Sequence, residues 1–121
     1  MAIKVLVADD AELIRRRIKS LLKDCDDISV IGEACDFPET IVKMMELVPD
    51  VVLIDLHMTE GMEGNLSLPA RPTVIAMSFA NDETTKELAG KLGAARFIDK
   101  MDLAEELIPA LLQFAMSNKP S

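Results

Sequence analysis

Three carboxylates, a hydroxyl and an amine occupy similar places in this 121-residue chain. Each closes or follows a short run rich in apolar side chains: Asp9 and Asp10 after "IKVLVA", Asp55 after "VVLI", Ser78 at the end of "TVIAMS", and Lys100 after "ARFID". Val51, Val52, Leu53 and Ile54 lack the alternation of a half-solvated strand, and their β-branched content suits a strand covered on both faces. In open α/β sheets, ligands bind at the carboxyl ends of such strands. If the strands are parallel, these polar residues all meet at one edge. Acids gathered there repel one another and raise one another's pKa values unless a cation joins them. A hard ion, Mg²⁺ or Mn²⁺, resolves the conflict, since it binds through one or two carboxylates and keeps positions for phosphate oxygens. Lys100 and Ser78 would then offer a positive charge and a hydroxyl donor to a phosphoryl group on Asp55. Singly, each residue has a plain structural explanation: Asp55 caps a turn, Ser78 ends a strand, Lys100 is a solvated terminus. Packing alone gives no reason to collect three like charges at one edge.

The elements that must position these groups read as strands and helices in strict alternation, the pattern of a parallel sheet with helices on both faces. The first strand spans about Ile3 to Ala8, and a helix follows with Leu13, Ile14, Ile18, Leu21 and Leu22 at helical spacing. A second strand covers about Ile28 to Ala34. The second helix opens on Asp36 as N-cap, with Pro38 in its first turn and Glu39 three residues after the cap, and is expected to bury Ile41, Met44, Met45 and Val48 before Pro49 stops it. After Asp55 comes a glycine-containing loop, then "TVIAMS", then a helix from about Asp82 to Lys91 ended by Gly93. "ARFID" is the last strand. The last helix is expected to start at Asp102 with Glu105 completing a capping box, and to kink at Pro109, where Glu105 loses its carbonyl's partner.

Composition bounds the function. Half of the residues are apolar, enough for one domain with its own core. A net charge of −8 and a pI near 4.6 argue against nucleic acid or anionic lipid as direct partners. Arg15, Arg16, Arg17 and Lys19 group on the first helix and read as a solvated face. "MAIKVLVADD" meets Asp9 and Asp10 before any adequate signal-peptide core, and no segment is long enough to span a membrane. Cys25 and Cys35 form neither a C-x-x-C pair nor a cluster with the only histidine, His57, and read as packing residues in a reducing cytoplasm. The tail "SNKPS" reads as the start of a linker or a frayed end.

The pieces "VLVADD", "PDVVLIDLHM", "VIAMS" and "LGAARFIDK", in this order, resemble a two-component response-regulator receiver domain over nearly the whole chain. "IKVLVADDAELIRRRIKSLL" and "GAARFIDKMD" are most similar to receivers that precede a DNA-binding helix-turn-helix domain. The resemblance implies a flavodoxin-like, doubly wound α/β fold with a five-stranded parallel sheet in the order 2-1-3-4-5. It makes residues 1–121 one receiver with no DNA-binding domain of its own. Asp55 would be the phosphoacceptor, served by a sensor histidine kinase or a small phosphodonor. Asp10 would bind Mg²⁺ directly and Asp9 through water, while Asp55 and the His57 backbone carbonyl complete the protein ligands. Ser78 and Lys100 would hold the phosphoryl group, and Phe97 would be an aromatic rotamer switch. The product would be a cytoplasmic conformational switch rather than an enzyme of metabolism, with an output domain downstream or in a separate chain and a homodimer on phosphorylation among its partners.

Two rival readings share some residues. "DLHMT" resembles the D-x-D-x-T nucleophile motif of haloacid-dehalogenase-type phosphatases, but His57 stands where the second acid belongs. A degenerate receiver acting as an unphosphorylated binding module would keep the fold without the chemistry. The chain also departs from the receiver pattern. Thr59 and Glu60 replace the usual proline, and the segment from Gly64 to Ser78 is short by roughly two helical turns. A third helix is therefore expected to be shortened or missing, with Met62, Leu66 and Leu68 folding over the sheet as an irregular plug. Met44, Met45, Met58 and Met62 suit such a gap, because thioether side chains adapt to odd shapes.

Overall fold

Each apolar run of the sequence becomes a strand, and each polar break after it starts a turn or a helix. The computed structural model describes residues 2–60, 68–69 and 72–117, the side chains of 115–117 excepted. In chain order the elements are β1 (Ile3–Ala8), α1 (Glu12–Leu22), β2 (Ile28–Ala34), α2 (Phe37–Leu47), β3 (Val51–Asp55), β4 (Thr73–Ser78), α3 (Glu83–Lys91), β5 (Arg96–Asp99) and α4 (Leu103–Ser117). Short 3₁₀ turns follow β3 (Leu56–Thr59) and β5 (Lys100–Asp102). The five strands form one parallel sheet in the order β2-β1-β3-β4-β5, the flavodoxin-like arrangement. Register aligns the strand ends: Ala8 lies opposite Ile54, Asp55 opposite Met77, and Ser78 opposite Asp99. The polar residues at the strand ends are thereby gathered along one carboxyl edge.

Alternation along the strands sends side chains to two cores. Ile3, Val5, Val7, Leu53, Ile75, Met77 and Ile98 pack with Ile18 and Leu22 of α1 and with Leu103, Leu107 and Leu111 of α4. Leu6, Ala8, Val52, Ile54, Val74 and Ala76 pack with Phe37 and Met44 of α2 and with Ala89 of α3. A fully buried aliphatic side chain of this size contributes roughly 1.5–3 kcal/mol, so these two layers hold the edge in place. At Gly32 a Cβ would come within 2.5 Å of the Leu47 side chain, which is why α2 can lie close against β2.

The helix starts follow the sequence closely. Asp36 accepts a hydrogen bond from Glu39 N at 2.7 Å, and Glu39 in return accepts from Cys35 N at 2.8 Å. Asp82 caps α3 by accepting from Thr85 N at 2.8 Å. Other expectations need correction. Met45 and Val48 are exposed, because the buried stripe of α2 is Phe37, Thr40, Ile41, Met44 and Leu47, one residue out of phase with them. Val48 takes the left-handed conformation, φ 47°, and ends the helix just before Pro49. Asp102 and Glu105 make no capping box; Asp99 instead caps a 3₁₀ turn by accepting from Met101 N at 2.9 Å, and α4 begins at Leu103, with Pro109 inside it as expected. Cys25 packs against the core, but Cys35 is exposed.

Among the described residues there are four α-helices and none between β3 and β4. The 3₁₀ turn after β3 takes part of that space: Leu56 is buried, Met58 packs on the second core, and Leu68 packs there too, as expected of a plug. Met62 and Leu66 lie outside the described residues. No helix among the described residues is long and apolar enough to cross a membrane.

Candidate functional site

β1 delivers Asp9 and Asp10 to the carboxyl edge, β3 delivers Asp55, and the turn after β5 delivers Lys100. Asp9 is fully buried; its Oδ1 accepts from Ala11 N at 2.9 Å. Its Oδ2, which has no hydrogen bond of good geometry, is ion-paired to Lys100 Nζ at 2.6 Å. Asp55 is also buried, and its Oδ1 meets Lys100 Nζ at 3.1 Å and His57 N at 3.0 Å. One buried ammonium thus bridges two buried carboxylates, an arrangement that is stable only while all three groups remain together. Asp10 points to the more open side, where its Oδ2 lies 3.1 Å from His57 Nδ1. The other ring nitrogen, Nε2, lies 3.4 Å from Glu60 Oε2.

Electrostatics separates the acids. Burial pushes the Asp55 carboxyl above its ordinary value, with the Asp9 charge adding to that, against the His57 N–H and the Lys100 ammonium. Burial also acts upward on Asp10, but hydrogen bonds with Asp55 and His57 and the charges of His57 and Lys100 together hold it below the ordinary value. The hydrogen bond with Asp10, and then the Glu60 charge, raise His57.

A cleft of about 340 Å³ opens over these groups, lined in part by Asp10, Asp55, His57, Ser78, Phe79 and Lys100. Ser78 sits at its rim, its Oγ accepting from Ala80 N at 3.0 Å. The fold therefore brings together Asp9, Asp10, Asp55, His57, Ser78 and Lys100. Phe97 is not at the cleft; it is half-buried in β5 and packs on the second core. The His57 carbonyl accepts from Glu60 N at 3.2 Å inside its 3₁₀ turn, while the imidazole faces Asp10.

Sequence reasoning missed three participants. The exposed Phe79 ring lies 5.2 Å from Lys100 Nζ, a cation–π contact that covers the ammonium. Its position directly after Ser78 was the only signal. Arg15, expected on a solvated face, instead donates from Nη1 to the Asp9 carbonyl at 2.7 Å and pairs with Glu33 at 3.0 Å. The third is the His57 ring itself, whose direction no residue pattern specifies.

Asp10, Asp55 and His57 each offer a ligand atom, all within 4.8 Å of one another. With Asp9 behind them, carboxylates outnumber the one ammonium, so the donor set is compatible with a divalent cation such as Mg²⁺.

Strand order and edge chemistry together define a class, the receivers of two-component signalling. The chain belongs to the response regulator receiver domain family, which matches residues 5–112. It is 36% identical over 118 residues to the transcriptional regulatory protein LiaR of Bacillus subtilis, covering 90% of this chain and 54% of LiaR. It is 35% identical to a protein-glutamate methylesterase/protein-glutamine glutaminase of Caldanaerobacter subterraneus, covering 97% of this chain and 36% of that protein. Among solved structures it superposes on the signal receiver domain of the response regulator NarL from Mycobacterium tuberculosis with a TM-score of 0.82 and 28% identity, covering 97% of this chain and 98% of that one. The chain spans between about a third and just over half of the length of these curated relatives.

Proposed function

We propose that Asp55 accepts a phosphoryl group from the phosphohistidine of a sensor histidine kinase, and that the phosphorylated chain signals through a change of shape. One observation carries this reading: a buried Asp55 carboxylate held at Oδ1 by the Lys100 ammonium and the His57 N–H, at the floor of an open cleft. Oδ2 is then the nucleophile. It forms the new O–P bond as the P–N bond to the donor imidazole breaks, and the donor leaves as neutral histidine after taking a proton. Lys100 balances charge on the transferred oxygens, and Phe79 keeps water from the ammonium. Asp10 and Asp55, with Asp9 behind them, would hold Mg²⁺, which supplies charge neutralisation to the phosphoryl oxygens when bound.

The added dianion gives Ser78 a stronger partner than the Ala80 N–H it now has. As Ser78 and its loop move inward, Phe97 turns into the vacated space and the β4–β5 face changes shape. The protein acts by population shift in the cytoplasm, passing the signal to an output domain and pairing with a second phosphorylated copy. The esterase activity of the methylesterase relative is not carried over, since the match lies within about a third of that protein.

The test is incubation with Mg²⁺ and acetyl phosphate or phosphoramidate, read by intact-mass spectrometry, because the chain has no Trp or Tyr to report by fluorescence. One phosphoryl mass appears in the wild type and is absent in Asp55→Asn. Label on another residue overturns this reading, turnover of a phosphomonoester would replace it with the phosphatase one, and no label from any donor would favour the unphosphorylated binding module.

A further inference from the structure

We propose that the His57 imidazole is itself a metal ligand through Nδ1, so that this receiver site favours a nitrogen-seeking divalent ion, Zn²⁺ or its neighbours Co²⁺ and Ni²⁺, over Mg²⁺. The inference rests on the reading that Asp10 and Asp55 hold a divalent ion; what it adds is a third side-chain donor and a different choice of metal. A backbone carbonyl at position 57 would be served by any residue, whereas an imidazole is not neutral in its preference. Nitrogen donors raise affinity along the series toward Ni²⁺, Cu²⁺ and Zn²⁺ far more than they do for Mg²⁺.

The geometry is that of donors sharing one ion. Two ligand atoms about 2.1 Å from a metal and at right angles to each other lie about 3.0 Å apart. Asp10 Oδ2 and His57 Nδ1 lie 3.1 Å apart, and the Asp55 oxygen completes a group within 4.8 Å. Asp55 and His57 share one rigid turn, because the His57 N–H donates to Asp55 Oδ1 at 3.0 Å. That bond holds the Asp55 carboxylate against the turn, and the contacts of the ring with Asp10 and Glu60 hold the imidazole beside it.

Glu60 is an independent observation pointing the same way. Its carboxylate lies 3.4 Å from Nε2, the ring nitrogen opposite the proposed donor. Metal-ligating histidines place their second N–H against a carboxylate in this manner, which fixes the tautomer and aims the lone pair of the other nitrogen at the ion. An exposed ring between two carboxylates is otherwise a surface ion pair of small worth. His57 is the only histidine in the chain, so any imidazole coordination is assigned without ambiguity.

The experiment uses the untagged full chain with Cys35→Ser, to remove the exposed thiol as a competing ligand. Zn²⁺ and Mg²⁺ affinities are measured by calorimetry, and the imidazole ¹⁵N resonances are followed on titration with each ion. The expected result is Zn²⁺ bound at least about tenfold more tightly than Mg²⁺, with the Nδ1 resonance shifted by Zn²⁺. His57→Ala should lower the ratio of Zn²⁺ to Mg²⁺ affinity at least about tenfold, and Glu60→Gln should lower it by a smaller factor. An unmoved Nδ1 resonance at saturating Zn²⁺, or an unchanged ratio in His57→Ala, overturns the inference while Mg²⁺ binding leaves the phosphoacceptor reading standing. If the wild type binds neither ion, both fall together.

Discussion

The molecule holds two clusters of opposite charges, built to opposite balances. At the carboxyl edge one ammonium, Lys100, meets Asp9 and Asp55 with side chains almost wholly out of water, and Asp10 stands beside them. On the outer side of α1 and β2, Arg15 and Lys19 close on a single carboxylate, Glu33, at 3.0 and 2.8 Å, and solvent reaches all three. The second cluster satisfies its acid with two cations and leaves it nothing further to bind. The first leaves acid in excess in a place where unpaired charge is costly. The contrast separates a brace from a site. The brace also serves the site, since Arg15 donates to the Asp9 carbonyl and so fixes where β1 ends.

The largest break in that comparison is Lys100→Met. It strands Asp9 and Asp55 without their shared cation, and removing one member of a buried charge group destabilises by about 3–5 kcal/mol. Urea unfolding at neutral pH should show a loss of that order, whereas Lys19→Met, which removes one of two cations from an open cluster, should lose about 1 kcal/mol or less. Equal losses would mean that burial does not distinguish the clusters.

Metal sharpens the same contrast. An ion that binds only the folded state stabilises it by about 2.7 kcal/mol at a hundredfold excess over Kd. Saturating Mg²⁺ should therefore raise the melting temperature of the wild type. Asp10→Asn should remove most of the rise and Glu33→Gln none of it. A rise that persists in Asp10→Asn places the ion elsewhere.

The strands and the acids at their ends were legible because an apolar run that stops at a carboxylate marks both a core and its edge. All five strand positions agree, and so does the cap at Asp36, which depends on local spacing alone. What depends on three-dimensional approach was not legible. The apolar residues of α2 and its C-cap outnumber the positions that face the sheet, so Met45 and Val48 lie outward although their residue types suit a core. Arg15 reads as a solvated charge in sequence because Glu33, its partner, is 18 residues away and comes near only when β2 joins β1. Phe79 over Lys100 and the His57 ring against Asp10 and Glu60 likewise join residues through the sheet edge and its turns, which no sequence period encodes.

The segment between β3 and β4, where the described residues form no α-helix, gives a smaller effect. Leu68 is half-buried against the second core, where it helps cover that face of the sheet. Leu68→Ser should cost about 1–2 kcal/mol in urea unfolding, less than a fully buried leucine would. No loss would mean that the 3₁₀ turn with Leu56 and Met58 covers the face by itself.

The smallest expected effect is the most specific about the brace. Glu33 lies below the ordinary glutamate value of 4.5, chiefly through its hydrogen bond from Lys19, with burial opposing and Arg15 adding to the shift. A carboxyl whose folded pKa is depressed contributes stability that is present above its unfolded value and is lost as pH falls through the lower folded value. Glu33→Gln should therefore destabilise the protein at neutral pH, and the gap from wild type should close as the medium is taken below that range. The Glu33 side chain is 36% exposed, so screening limits the neutral-pH loss to about 1 kcal/mol or less, and added salt should shrink it further. The loss in Lys100→Met should respond far less to salt, because its charges are out of reach of mobile ions. Measured side by side, these two salt dependences decide whether the clusters differ in kind: parallel slopes would make the carboxyl edge another brace, and divergent slopes mark it as the place where charge is held in wait.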